Sequence, residues 1–473
     1  GGNPVPAGGI TVNGAGQTGS GDTLDLVNVP SSFTTHTYNY TNANDGNVVL
    51  NNGSADFTIN YTGLEPVTNS GTANDVIFNL PGTTDSTITL SDLGGGLARL
   101  ASTVPTFELT DFAYPVAGGS VTVYLGANDQ VITVSSLALN ANTDLIIDGE
   151  AGSDTINLNV SGGLTVTDDL TLSAETIDQS TLVNVLGDAT LDAGATGTID
   201  LSIFNNNFQG DVTITNADSA DIDDIDALIF ANVTTQGTLG VDADGPVLFD
   251  GTTTIGAALL VSAGGDITDN GTIAVAGNTS LSTAGNDIVL DNSGNDFQGT
   301  VNASGVNIDL SDANGIELGN VTATTLDVTA IGAVTDTATA ILNVTNTADL
   351  NGASITLGET GTDVFNAGTL TFFSAGTVII SENSDTALAG TNQADSLNLD
   401  STGDITDAAT AILNVTNNAD LNGSTITLGE TGGDVFNAGT LTFFSGGAVI
   451  LSEDSDTSLV GTNQADSLDL DST

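Results

Sequence analysis

Hydrophobic and polar residues alternate one by one through most of this chain. Near its end, for example, Leu413, Val415 and Leu421 are separated by Asn, Thr and Asp residues. A period of two over four to eight residues indicates a strand with one face buried and the other in solvent. Dipeptides such as Asn422-Gly423 follow these runs and favour the positive φ angles of tight turns. The pattern therefore predicts an all-β protein of many short strands.

Two long segments of the chain are near-copies of each other. Residues 332–402 and 403–473 align without a gap and share 57 of 71 positions. An older copy lies upstream, where Gly265-Asp-Ile-Thr-Asp269 matches Gly403-Asp-Ile-Thr-Asp407. One phenylalanine recurs at the same place in each copy, and these markers are Phe208, Phe297, Phe365 and Phe436. Tandem repeats of this length indicate stacked structural units.

Two all-β architectures fit a repeat unit of this length. In a repetitive β-solenoid of the right-handed β-helix type, each unit forms about three coils of ~20–25 residues that pair with one another. In the second interpretation, each unit is a small β-sandwich domain in a tandem array. The phenylalanine markers are unevenly spaced along the chain, and there is no Trp to anchor a sandwich core. These observations favour the β-solenoid, because extra turn residues can lengthen a coil more easily than a closed sandwich.

Composition predicts the domain limits. All five Tyr and seven of the eight Pro lie in residues 1–125. This N-terminal β region is predicted to form either further solenoid coils or a separate β domain. Degenerate β-strand repeats are predicted over 126–331, followed by one repeat unit at 332–402 and its near-copy at 403–473.

The net charge of the chain limits the classes of molecule that it can bind. There are 59 acidic residues against one Arg, one His and no Lys, which gives a formal net charge of −58. Such a surface repels phosphate backbones and anionic lipids, so we expect no nucleic-acid partner and no membrane insertion. The expected partners are divalent cations and other copies of the chain, with matrix polysaccharide as a further candidate. The lack of Lys and the acidity predict a secreted protein, extracellular or at the cell surface.

Acidic clusters in the turns are the candidate metal ligands. Ca²⁺ takes six to eight oxygens from carboxylates, main-chain carbonyls and water, and turns bring such groups close together. The segment Gly149–Ile156 is a degenerate match to the nonapeptide of calcium-binding β-rolls. The alternative interpretation is a set of solvated carboxylates that keep the protein soluble and protect strand edges. The candidate ligands of Ca²⁺ are Asp144, Asp148, Glu150, Asp154, Asp221, Asp223, Asp224, Asp226, Asp242, Asp244, Glu382, Asp385, Glu453, Asp454 and Asp456.

The phenylalanines suggest a core and a contact surface. The four marker residues are expected to pack inside the coils, in register from coil to coil. The pairs Phe372-Phe373 and Phe443-Phe444 differ, because neighbouring strand residues point to opposite faces and one of each pair must face outward. An outward phenylalanine is either a tolerated surface residue or an assembly contact.

The sequence offers little for catalysis, and we predict that the protein is not an enzyme. His36 is the single histidine and lies in no recognisable nucleophile motif. A polysaccharide-acting β-helix enzyme with paired carboxylates remains a minor alternative. Sugar-acid lyases of this shape generally use Lys and Arg, however, and Arg99 is the one residue of these types.

Several segments resemble repeats of large extracellular proteins. Residues 285–301, 310–321 and 326–330 resemble the repeats of filamentous-haemagglutinin-type giant adhesins. Upstream, residues 59–67 resemble segments of giant β-strand-repeat proteins of planctomycete-like bacteria. The resemblance implies a right-handed β-helix, export, and an adhesive or matrix role, and it carries no catalytic residues.

Two hypotheses of function follow. The first is a secreted acidic structural protein of a bacterial surface layer, fibre or biofilm extracellular matrix, which self-associates and depends on divalent cations. The second is the stalk of a large adhesin whose binding tip lies elsewhere.

Overall fold

The structure is a computed structural model that describes residues 5–6, 8–14, 22–27, 33–64, 66–82, 86–103, 107–203 and 205–472. These residues form strands, turns and bends and contain no helix. They make an all-β solenoid of about 17 turns, in which parallel coils stack on one another. The predicted β-solenoid is thus confirmed, and the tandem β-sandwiches are not observed. The chain divides into two compact units, Gly1–Gly245 and Pro246–Thr473.

The first unit begins with twelve strands, some of which pair antiparallel in hairpins while others pair in parallel as in the solenoid coils. These strands are β1 (Ile10–Asn13), β2 (Leu24–Leu26), β3 (Phe33–Tyr40), β4 (Gly46–Asn51), β5 (Asp56–Thr62), β6 (Val67–Asn69), β7 (Ala73–Asn79), β8 (Ser86–Gly94), β9 (Leu97–Ser102), β10 (Thr110–Ala113), β11 (Ser120–Tyr124) and β12 (Gln130–Val134). Strands β3, β4 and β5 pair antiparallel, as do β8, β9 and β10. Strands β7 and β8 pair in parallel with β11 and β12, so they also form the first steps of the coils that follow.

The rest of the first unit is regular. Its strands are β13 (Asp144–Asp148), β14 (Thr155–Leu158), β15 (Leu164–Val166), β16 (Leu170–Ser173), β17 (Thr176–Gln179), β18 (Val183–Val185), β19 (Ala189–Asp192), β20 (Thr198–Leu201), β21 (Asn207–Phe208), β22 (Asp211–Ala217), β23 (Ser219–Asp224), β24 (Leu228–Thr235) and β25 (Leu239–Ala243). Parallel pairing aligns one inward residue per coil, and one such column is Val76, Val121, Leu145, Leu170, Ala189, Val212 and Phe230. All of these side chains are buried, so the core is a stack of apolar layers.

The second unit continues the same construction. Its strands are β26 (Val247–Phe249), β27 (Thr253–Ile255), β28 (Leu259–Ala263), β29 (Ile267–Asp269), β30 (Ile273–Val275), β31 (Thr279–Thr283), β32 (Ile288–Leu290), β33 (Asp296–Phe297), β34 (Thr300–Ser304), β35 (Asn307–Asp312), β36 (Ile316–Ala323), β37 (Thr325–Ala330), β38 (Ala333–Asp336), β39 (Ile341–Asn351), β40 (Ser354–Leu357), β41 (Val364–Phe373), β42 (Thr377–Glu382), β43 (Thr386–Leu388), β44 (Thr391–Ala394), β45 (Ser396–Ser401), β46 (Ile405–Asp407), β47 (Ile412–Gly423), β48 (Ile426–Leu428), β49 (Val435–Ser445), β50 (Ala448–Glu453) and β51 (Ser467–Ser472). We call a series of strands paired from coil to coil a strand stack. The length of a coil varies with its turns, so that Ile308 pairs with Leu326 after a short coil and Ile355 pairs with Val378 after a longer one.

The tandem repeat is longer than three coils. Phe373 pairs with Gln393, Gln393 with Asn414, and Asn414 with Asn437, so three coils bring the chain to Asn437. Phe444, the repeat equivalent of Phe373, lies further along strand β49. It belongs to another strand stack, with Asn422 and Asp400. Each 71-residue repeat, predicted to form about three coils, therefore forms three coils and one further strand. As a result, equivalent residues of the two successive repeats lie in neighbouring strand stacks.

The domain limits predicted from composition remain predictions. Strand β11, which ends at Tyr124, pairs in parallel with β13 along its whole length. The division between the two compact units falls at Gly245 and Pro246.

Candidate functional site

Carboxylates on the outer faces of neighbouring coils stand in register. Asp178, Asp200 and Asp221 pair in sequence in the first unit, and we call them the Asp200 ladder. In the second unit Asp309, Asp327 and Asp349 form the Asp327 ladder. Paired residues of adjacent strands lie about 5 Å apart, so each ladder is a row of closely spaced like charges.

The ladders raise the proton affinity of their members. The pKa of Asp327 is raised to about 6, first by desolvation against the sheet and then by the charges of Asp309 and Asp349. The pKa of Asp221 is also raised, by desolvation and by Asp200. Both side chains are exposed, so salt screens the repulsion between neighbours.

Two acids of the first predicted cluster, Glu150 and Asp154, line a small concavity. Asp154 is buried and its Oδ1 accepts the Gln130 amide at 2.8 Å, while burial raises its pKa to about 6. Glu150 is exposed with a φ of 65°, and its amide donates to Asp148 at 2.9 Å. A concavity of about 110 Å³ is lined by Glu150 and Asp154 together with Glu175 and Asp192. Sequence reasoning missed the last two acids, because they come from the next coils.

Asp144 stands apart from that concavity. It opens strand β13 and accepts the Asp169 amide at 3.2 Å. Burial and the charges of Asp168 and Asp169 raise its pKa.

The second predicted cluster is split by the alternation of the strand. Asp224 is buried, and it accepts the amides of Phe208 at 2.7 Å and Asp226 at 2.8 Å. Burial raises the pKa of Asp224 to about 6. Asp223 pairs with Asp242 of the next coil on the outer face. The remaining members, Asp221 and Asp226, are exposed, as are both acids of the next predicted cluster, Asp242 and Asp244.

Glu382 and Glu453, at one position of the repeat, are buried acceptors of main-chain amides. Glu382 accepts the Ala367 amide at 2.8 Å and the Thr386 hydroxyl at 2.7 Å, and burial raises its pKa. Glu453 accepts the Ala438 amide at 2.9 Å. Their predicted partners Asp385, Asp454 and Asp456 are exposed, so these clusters do not converge on a point.

Asp312 has the same role and was missed by sequence reasoning. It is buried and accepts the Phe297 amide at 2.8 Å and the Asn314 amide at 2.7 Å, as Asp224 does for Phe208. The signal was present in the alternation, because Ile308, Leu310 and Asp312 share one parity and point inward.

Within the described residues, no group of three or more His, Cys, Asp or Glu side chains is arranged to hold a metal ion. The predicted ligands instead divide into buried acids that bind main-chain amides and half-buried or exposed acids. No helix in the described part of the chain meets the length and hydropathy needed to cross a bilayer.

The predicted burial of the marker phenylalanines and the outward position of one member of each pair are confirmed. Each of the four markers is at most 1% exposed. In each pair the first member, Phe372 or Phe443, is buried, whereas Phe373 is 45% and Phe444 50% exposed. Phe444 borders a shallow trough of about 480 Å³ lined by uncharged residues, among them Ser401, Asn422 and Ser424.

His36 and Arg99 are both engaged in the fold. His36 is 1% exposed, its Nδ1 lies 3.2 Å from Asn69 Nδ2, and burial lowers its pKa to about 4. It is therefore a neutral core residue at physiological pH. Arg99 forms a two-bond ion pair with Asp111, at 2.7 and 2.9 Å.

Comparison with protein families gives one result, and it covers less than half of the chain. Residues 150–215, 244–304 and 305–371 match a family described as repeats of unknown function (DUF5649). These segments contain coils of both units. Comparisons with curated proteins and with solved structures gave no match.

Proposed function

We propose that this protein is a secreted acidic structural component of a bacterial surface layer, fibre or biofilm matrix, and that it associates with copies of itself. The observation that supports the proposal is the residue-by-residue parallel pairing of the coils around a continuous apolar core, with carboxylates in register outside. Such a solenoid resists bending because each coil is bonded on two sides. Stacked coils with an acidic surface suit a scaffold.

The outer surface indicates how copies would be joined. Two acidic surfaces repel each other unless a divalent cation neutralises and bridges them. The Asp327 and Asp200 ladders offer closely spaced carboxylates for such bridges. We therefore include dependence on divalent cations in the proposal, and the resemblance to exported repeat proteins supports the extracellular location.

The second candidate is the stalk of a large adhesin. It is favoured by one observation, namely that Phe373 and Phe444 lie in different strand stacks. The exposed phenylalanines thus form no continuous apolar stripe for lateral packing. A stalk needs length and stiffness, but no repeated contact surface.

Negative-stain imaging of the purified chain, with and without millimolar Ca²⁺, tests the proposal. Discrete particles, sheets or fibres that form on adding Ca²⁺ are expected for a scaffold. A monodisperse rod under both conditions would contradict self-association and favour the stalk. Immunogold labelling of intact producing cells tests the location, and labelling confined to permeabilised cells would contradict export.

A further inference from the structure

A polar pair recurs inside the coils just before each marker phenylalanine. In the first unit, Gln179 and Asn206 exchange two amide hydrogen bonds of 2.9 Å. In the second unit, Asn295 donates from Nδ2 to Asp269 Oδ2 at 2.6 Å. The two residues of each pair are 27 and 26 positions apart in the sequence, which is slightly more than one coil. In both cases an amide N–H supplies the bond.

The two repeat units place acids at both positions of this pair. Asp363 and Asp434 precede their marker phenylalanines by two residues, as Asn206 and Asn295 do. Their counterparts, earlier by slightly more than one coil, are Asp336 and Asp407. The match between 265–269 and 403–407 aligns Asp407 with Asp269. The amide has been replaced by a carboxylate, which when ionised can only accept hydrogen bonds.

One oxygen of each introduced carboxylate is buried without a partner. Asp363 is 4% and Asp434 7% exposed. Their Oδ2 atoms accept the amides of Thr360 and Thr431 at 3.2 Å, but Oδ1 of each has no hydrogen-bond partner and no exposed surface to water. Leaving an acceptor of this kind unpaired in the interior is costly.

The earlier acid of each pair binds the short loop that precedes the later acid, residues 358–363 in the first repeat and 429–434 in the second. Asp336 Oδ2 accepts the amide of Gly358 at 3.0 Å, and Asp407 Oδ2 accepts that of Gly429 at 3.0 Å. Both glycines have a left-handed φ, 69° and 71°, which turns the amide toward the carboxylate. Asp336 and Asp363 thus accept amides from the same short segment, 358–360, which brings the two carboxylates together.

We propose that each of these carboxylate pairs, Asp336 with Asp363 and Asp407 with Asp434, binds one Ca²⁺ ion. A divalent cation takes the place that the Asn295 amide occupies beside Asp269, and it satisfies the unpartnered oxygen. Since no three acidic side chains surround a common point in the described residues, the other ligands are main-chain, hydroxyl or water oxygens. Ca²⁺ suits such a site because its coordination is flexible and all-oxygen.

This inference does not rest on the proposed function, because the sites lie within one chain. Its test is the number of Ca²⁺ ions bound by the full chain, measured by equilibrium dialysis in 150 mM NaCl at pH 7.5. The double variant Asp363→Asn/Asp434→Asn restores the residue type of the older coils and is expected to fold. We expect it to bind two fewer ions than the unaltered chain.

Two further variants make the test specific. Asp466→Asn/Asp469→Asn removes the same charge from exposed positions and is expected to keep the full number of ions. Asn295→Asp creates a third acidic pair beside Asp269 and is expected to add one ion. Equal ion numbers in all four proteins would overturn the proposal. It would also be overturned if saturating Ca²⁺ raised the melting temperature of Asp363→Asn/Asp434→Asn as much as that of the unaltered chain.

Discussion

Phe373 and Phe444 occupy the same position in two successive sequence repeats, yet they lie in different strand stacks of the second unit. Three coils carry the chain from Phe373 only as far as Asn437, and the remainder of the repeat carries Phe444 across to the next stack. Near-identical sequence is thus presented in two directions around the solenoid axis. A partner that recognises one copy would have to approach the other from a different side.

The two phenylalanine pairs give a matched test of surface against core. Phe373→Ser with Phe444→Ser is expected to weaken self-association and leave the melting temperature within a few degrees, because both side chains are about half exposed. Phe372→Ala removes a fully buried ring and is expected to cost about 3–5 kcal/mol of unfolding free energy. Sedimentation velocity and denaturant unfolding measure the two effects. If Phe373→Ser with Phe444→Ser leaves the sedimentation unchanged, these two residues do not take part in the assembly contact.

Two aspartates of one strand are expected to differ sharply on substitution. Asp224→Ala leaves the Phe208 and Asp226 amides without their acceptor and should cost roughly 1–3 kcal/mol. Asp221→Ala, three residues earlier on the outer face, should be neutral or stabilising because it relieves repulsion with Asp200. Urea unfolding of both variants at pH 7.5 decides the matter. If the two changes prove equal, the inward role of Asp224 is wrong.

Stability is expected to rise as the pH is lowered from 7.5 to 5 in EDTA. The pKa values of Asp224 and Asp327 are raised to about 6 in the fold, against an ordinary value of 3.8. A raised acid pKa means that the folded protein binds the proton more tightly than the unfolded chain, so protonation between about pH 6 and pH 4 favours folding. Melting curves at half-unit pH steps measure this rise. The variant Asp327→Asn should show a smaller rise, and a melting temperature that falls over this range would contradict the prediction.

Ca²⁺ at millimolar concentration is expected to raise the melting temperature more than NaCl of equal ionic strength. Neighbouring ladder carboxylates about 5 Å apart repel by about 0.8 kcal/mol per pair in water. The chain has no Lys, and its Arg99 is already paired with Asp111. Light scattering in the same series should show association in CaCl₂ alone. Equal melting temperatures and equal scattering in the two salts would contradict specific Ca²⁺ binding and would indicate that the surface carboxylates are only hydrated.

The alternation of residues predicts the all-β class, the uneven spacing of the markers favours the solenoid, and the same alternation separates inward from outward acids. Counting parity along Val378, Ile380 and Glu382 places the glutamate inward, where it is found. Grouping acids by closeness in sequence failed, because Asp223 and Asp224 point to opposite faces. The carboxylates that do meet, such as Asp223 and Asp242, come from successive coils. Predicting those meetings requires the length of each coil, which changes with the turns along the solenoid and which no local pattern fixes.

The parallel pairing of coils also determines how this protein would respond to tension. The hydrogen bonds between coils run along the solenoid axis, so a pull on the end of the second unit loads one coil at a time. Releasing a single coil, such as the one from Ala348 to its partner Leu370, would lengthen the chain by about 70–80 Å, against a few ångströms in the stack. Each coil would then yield and dissipate mechanical work in turn. Such a solenoid would lengthen in small steps under load.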